Sequence, residues 1–129
     1  MLIRPPRSRT EYYLFGHKVE EIIYGRLLAY LPEKRGYKVE KHTFGRYDFI
    51  ITDPNGEKYT VELKSSWSKK PTWILNAARK RNPDIVIIFD GREGKAWIPI
   101  NNRLYLLSKR WLHKAMWEVR RRRISQTKQ

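Results

Sequence analysis

Apolar and polar residues change their period several times along the chain, and each change marks an element. Phe15, Val19, Ile22, Ile23, Leu27 and Tyr30 recur at helical spacing, which predicts a first helix over residues 10–31. Thr10 is the expected N-cap, Glu11 suits the first turn, and Pro32 is the stop signal. From Tyr37 the period shortens to two, with strands expected over residues 37–42, 47–52 and 57–65. A second helix is expected over residues 72–81, with Trp73, Ile74, Ala77 and Ala78 toward a sheet. Residues 84–89 are an apolar run, the pattern of a strand buried on both faces. A further strand over residues 95–100 precedes a last helix capped by Ser108, carrying Trp111, Leu112, Ala115, Met116 and Val119. This order predicts an α/β fold, a mixed sheet with helices on both faces.

Two local geometries follow from the same pattern. Asp53-Pro54-Asn55-Gly56 has the chemistry of a three-residue hairpin loop, with proline presetting one φ and glycine accepting a left-handed one. Such a loop sets Asp53 opposite Glu57 and, counted outward, Asp48 opposite Glu62 on one sheet face. A two-residue loop would send Glu62 to the other face. In the first helix, about 100° per residue puts Glu20 at the edge of the apolar stripe, nearly beneath Gly16, while Glu21 points to solvent.

Charge then narrows the partners. Lys and Arg number 28 against 13 acids, a formal charge of +15, which makes nucleic acid the default partner. No long apolar segment suggests a membrane. The absence of cysteine excludes disulfides, thiolate metal sites and cysteine nucleophiles. With no apolar segment in the first ten residues, an intracellular protein is expected. The expected organisation is a basic N-terminal arm over residues 1–9, one domain over 10–123, and a flexible tail over 124–129.

The acids and one lysine supply candidate chemistry. Phosphodiester hydrolysis needs an activated water and neutralisation of developing charge, and a hard divalent cation held by carboxylates supplies both. Asp48 and Glu62 are the expected ligands, with the Leu63 carbonyl as a third. Lys64, two residues after Glu62 on the same face, is expected to orient water or hold the charged transition state. Glu20 is expected to act through a metal-bound water. Two facing acids repel, so metal should stabilise the fold. A second Glu-x-Lys, Glu93-Gly94-Lys95, reads as a turn, with Asp90 inside the same turn. Phosphate contacts are expected from Lys38, Lys41 and Arg46 on one side and Ser65, Lys69 and Lys70 on the other. Arg4, Arg7 and Arg9 on the arm, with Arg120, Arg121, Arg122 and Arg123, are expected to extend that track.

The combination of Gly16 and Glu20, Gly36-Tyr37-Lys38-Val39, Asp48 and Glu62-Leu63-Lys64 resembles the PD-(D/E)xK nuclease superfamily. Within it, the chain is most similar to archaeal-type Holliday-junction resolvases and Mrr-like nucleases. The residue before Asp48 is Tyr47, where the motif carries proline. The resemblance implies a restriction-endonuclease-like core of order α-β-β-β-α-β and Glu20, Asp48, Glu62 and Lys64 as active site. It also implies Mg²⁺-dependent cleavage, with Mn²⁺ as a substitute, of DNA that is branched, by a homodimer. Leu106, Leu107, Trp97, Trp111 and Trp117 offer apolar surface for such a dimer. The alternatives are a basic nucleic-acid-binding protein without catalysis, or an exonuclease or restriction-like enzyme of the same fold.

Overall fold

The computed structural model describes residues 4–42, 47–67 and 70–127. The elements run α1 (Arg9–Tyr30), a short 3-10 helix (Glu33–Arg35), β1 (Lys38–Lys41), β2 (Phe49–Thr52) and β3 (Lys58–Ser66). They continue with α2 (Pro71–Arg79), β4 (Ile85–Asp90), β5 (Lys95–Ile100), β6 (Arg103–Leu106) and α3 (Lys109–Thr127). The strands form one six-stranded mixed sheet in the order β1-β2-β3-β4-β5-β6. Only β3 and β4 are parallel, and α2 connects them.

Alternation along the strands divides the core between the sheet's two faces. One face presents Phe49, Ile51, Tyr59, Val61, Ile87 and Ile98 to Val19, Ile23 and Leu27 of α1 and Leu112 and Met116 of α3. The other presents Val86 and Ile88 to Ile74 and Ala78 of α2. Every residue of β4 is buried, as an apolar central strand between two helical layers should be. The expected α/β sheet with helices on both faces is therefore present.

Several boundaries differ from the sequence expectation. The N-cap of α1 is Ser8, whose Oγ accepts the Glu11 amide at 3.1 Å, so Thr10 lies inside the helix. Trp73 is 65% exposed, because Ile74 and Ala78, one turn apart, hold the buried stripe and Trp73 falls off it. Ala77 is exposed as well. Asp90 is the buried last residue of β4, paired with Ser66 and Lys95, and not a turn residue; Glu93 stays exposed. Helix α3 continues to Thr127, past the tail boundary expected at residue 124. Strand β6 was not expected at all. Its signal is Asn101-Asn102, both at positive φ (49° and 68°) between the paired Ile100 and Arg103, the requirement of a tight two-residue hairpin turn.

The β2–β3 hairpin has the expected loop. Asp53 N–H donates to Glu57 O at 2.9 Å, Gly56 N–H to Asp53 O at 2.9 Å, and Gly56 adopts φ +84°. Asp53 is buried and its carboxylate fastens the turn. Oδ1 accepts the Asn55 and Glu57 amides at 2.9 and 3.0 Å, and Oδ2 accepts the Tyr59 hydroxyl at 2.9 Å. Burial, with Asp53 beside it, pushes the Tyr59 phenol upward.

Candidate active site

The ladder set by that loop runs outward from Asp53 and Glu57 to Phe49 and Val61 and then breaks. Asp48 N–H donates to Val61 O at 3.0 Å, although Val61 is already paired with Phe49. Two consecutive residues of one strand thus face one of the other, which is a β-bulge. The bulge corrects the sequence reading at this point, because Asp48 does not pair with Glu62 across the ladder. It also exchanges the expected faces, so the expectation that Asp48 and Glu62 share one sheet face fails: Asp48 lines the α1 side and Glu62 the α2 side, joined only at the strand edge. Tyr47 reaches the α2 side, where its hydroxyl donates to Arg81 O at 3.0 Å. Asp48 turns toward α1, and its Oδ2 accepts the Leu63 amide at 2.7 Å.

This arrangement opens an edge in the sheet. The N–H and C=O of one strand residue point the same way, so the Leu63 carbonyl also faces the edge that β2 has left. Asp48 and Leu63, with Ser65, line a cleft of about 280 Å³ whose other wall is Tyr12, Tyr13, Gly16, His17 and Glu20 of α1. As the helical phase predicts, Glu20 is half-buried in this cleft one turn after Gly16, and Glu21 is exposed. A Cβ built on Gly16 would meet nothing within 4 Å, so the helix leaves open space there.

Glu62 and Lys64 share the other side of β3, as their spacing predicts, with Lys64 Nζ 3.6 Å from Glu62 Oε1. Glu62 is only 2% exposed, and among the described residues its Oε2 has no hydrogen-bond partner. Arg81 Nη1 lies 3.9 Å from Oε1. Arg81, just past the end of α2, stays exposed, and it reaches Glu62 because the fold carries that end of the helix back to β3. Burial first, then the negative charge of Asp48, pushes the Glu62 carboxyl above the ordinary 4.5, against the pull of Lys64 and Arg81. Among the described residues, no three His, Asp or Glu side chains already converge into a cage for an ion.

The expected phosphate contacts divide by position. Lys41 lies at the cleft end of β1, over the Tyr24 ring at 5.0 Å, and the next residue, His42, donates its amide to Asp48 O at 3.0 Å. Lys38 lies farther along β1, opposite Thr52, with its Nζ 3.7 Å from Glu40. Lys70 is exposed just before α2, whereas Arg46 and Lys69 lie outside the described residues. Arg7 on the arm is exposed, as is Arg9, which the structure places in the first turn of α1 and not on the arm, but Arg4 is held by Glu11 at 2.7 Å.

The Arg120–Arg123 run does not join that track. It lies by the hairpin turn, at the far end of β3, and most of it serves the fold. Arg123 donates to Lys58 O at 2.8 Å and to Asp84 at 3.1 Å, while Asp84 also accepts the Thr60 amide at 2.8 Å. Arg120 approaches Asp53 at 3.9 Å, and Arg121 pairs with Glu118 at 2.9 Å. Arg122 is exposed beside a groove between α3 and the start of β4. No known protein family, curated protein or solved structure matches this chain.

Proposed function

We propose that this protein is a metal-dependent DNA endonuclease, selective for branched DNA in the manner of a junction resolvase and acting as a homodimer. The observation that carries the reading is the orphaned Oε2 of Glu62. A buried carboxylate oxygen without a partner costs about 1–3 kcal/mol or more, and a fold retains such a cost where a ligand relieves it. The neighbouring Asp48 carboxylate and Leu63 carbonyl are hard oxygen donors, the set that suits Mg²⁺ or Mn²⁺. Bound there, the cation supplies an acidified water and charge neutralisation at the phosphoryl group.

In this reading Asp48 and the Leu63 carbonyl, at the edge β2 has left, would hold the ion, with Glu62 reaching that edge from the opposite side of β3, and Glu20 would orient water from the α1 wall. Lys64 is half-exposed beside Glu62, so its ammonium is available to a phosphate oxygen whose charge grows in the transition state. Lys41 and Lys70 supply backbone contacts on either side.

The test is incubation with four-way junction, flap, single-stranded and duplex DNA, with Mg²⁺ or with EDTA. Paired nicks in the junction are expected only with Mg²⁺. Glu62→Ala and Lys64→Ala should abolish them while DNA is still bound. Absence of metal-dependent cleavage of every DNA would overturn the reading. It would favour a DNA-binding protein without catalysis, in which Lys64 and Arg81 merely neutralise Glu62.

A further inference from the structure

Helix α1 begins with three consecutive large apolar side chains in solvent: Tyr12 is 49% exposed, Tyr13 65% and Leu14 59%. None of them belongs to the core, which α1 serves through Phe15, Val19, Ile23 and Leu27. Leaving a large side chain exposed forgoes about 1.5–3 kcal/mol of burial. Tyr12 and Tyr13 are the two that share one place, the rim of the cleft, and paired exposed rings there point to something that covers them.

Their position names the occupant. Tyr12 and Tyr13 form the rim of the same cleft that contains Glu20, Asp48 and Leu63. Tyr12, Gly16 and Glu20 follow each other at intervals of four along one face, so their backbone positions at the two ends of that row are about 12 Å apart along the helix. Gly16 lies between them with no side chain in the way. Tyr13 is met by the His17 ring edge-on at 4.4 Å, which steadies it while most of its surface stays open. At about 280 Å³ the cleft is smaller than the usual ~300–1,000 Å³ of a small-molecule pocket, so most of a polymeric substrate must lie outside it, over the tyrosines. Arg7, Arg9 and Lys18 are exposed on the same stretch of chain, which suits an anion carrying flat, apolar rings.

We propose that Tyr12 and Tyr13 are a stacking platform for unpaired nucleobases beside the scissile phosphate. The preferred substrate is then DNA whose bases are unstacked at the cleavage point, as at a branch or a single-stranded flap. Bases inside an uninterrupted duplex are already stacked and cannot use the rings. The proposal rests on the nuclease reading for its scissile phosphate, but its test does not require cleavage.

The full-length protein is titrated in EDTA against a forked DNA with 2-aminopurine at an unpaired position, and against a duplex of equal length with the same base paired. Tight binding to the fork with a change in 2-aminopurine fluorescence is expected. The Tyr12→Leu/Tyr13→Leu variant keeps apolar bulk but loses both rings. Its fork affinity should fall roughly tenfold per ring, with duplex affinity unchanged. Tyr12→Phe/Tyr13→Phe should bind the fork as the parent does. Both positions are exposed, so thermal melting should be unaltered. Equal fork binding by the leucine variant, or equal loss on fork and duplex, overturns the platform and leaves a protein partner as the occupant. Failure of the wild type to cut any DNA with Mg²⁺ is a separate result, which removes the nuclease and leaves the stacking measurement standing.

Discussion

At the residue scale, the energetics of the site gather on Glu62. Its carboxyl is buried, lacks a partner for Oε2 among the described residues, and is pushed above the ordinary value by desolvation and by Asp48. A raised carboxyl binds its proton more tightly in the folded chain, so the penalty is absent below about pH 4.5 and grows as pH rises through the elevated folded value. Glu62→Gln should therefore stabilise the metal-free protein at neutral pH by about 1 kcal/mol, the scale of one relieved buried polar group. The gain should vanish near pH 4. Urea unfolding at the two pH values, after chelation, checks this. A variant less stable than the parent at pH 7 would mean that Lys64 and Arg81 outweigh desolvation. The residue types at this site were legible in the sequence. The burial that gives them their character was not, because it depends on α2 closing over β3.

At the element scale, the β2–β3 hairpin separates what neighbours in sequence decide from what they do not. The loop was legible because proline, asparagine and glycine act within four residues. Asp53 turns that preference into a rigid corner through two backbone amides and the Tyr59 hydroxyl. Asp53→Ala should cost about 3 kcal/mol, as expected for losing several bonds to one buried charge, and should lower the melting temperature without direct contact to the cleft. Differential scanning calorimetry reads that shift, and a change under about 0.5 kcal/mol, the range of ordinary surface substitutions, would show that the loop holds by its own torsions. The bulge at Asp48 was not legible. It arises where β2 leaves β3, and the Leu63 amide takes the Asp48 carboxylate in place of a backbone carbonyl. A parity count along an ideal ladder has no means of registering that exchange.

At the scale of the whole molecule, the formal charge of +15 is spread unevenly in purpose. Lys41, Lys64 and Lys70 surround the open end of the sheet, whereas Arg120, Arg121 and Arg123 are spent on acids and carbonyls near the hairpin turn. DNA affinity should fall steeply with salt, on the order of a thousandfold between about 50 and 200 mM if some six phosphates are neutralised. Lys41→Ala or Lys70→Ala should flatten that slope by about one unit each. Arg123→Ala should leave the slope unchanged and instead destabilise the fold by about 1–3 kcal/mol, since Asp84 and Lys58 O lose a charged donor. Filter binding across a salt series, paired with thermal melts, separates the two classes. Equal slopes for all three variants would mean that the cleft end is not where DNA lies. The apolar surface expected to support a dimer is also partly internal. Leu107 is buried and Trp111 stacks on Tyr105 at 3.9 Å, while Leu106 and Trp117 remain 48% and 45% exposed. Among the described residues, no helix is long and apolar enough to cross a membrane.

By itself, the sequence determined the elements whose causes are local: the periodic helices, the buried central strand, the hairpin loop, the phase of Glu20 and the shared side of Glu62 and Lys64. Each follows from a fixed period or a torsional preference within a few residues. Only the tertiary structure decided that Asp48 turns to α1 through a bulge, that Arg81 joins Glu62, and that one Glu62 oxygen is left without a partner among the described residues. It alone set Tyr12 and Tyr13 at the mouth of the cleft and drew the C-terminal arginines away from it. These outcomes depend on which elements end beside one another, and that is fixed by packing across the whole sheet.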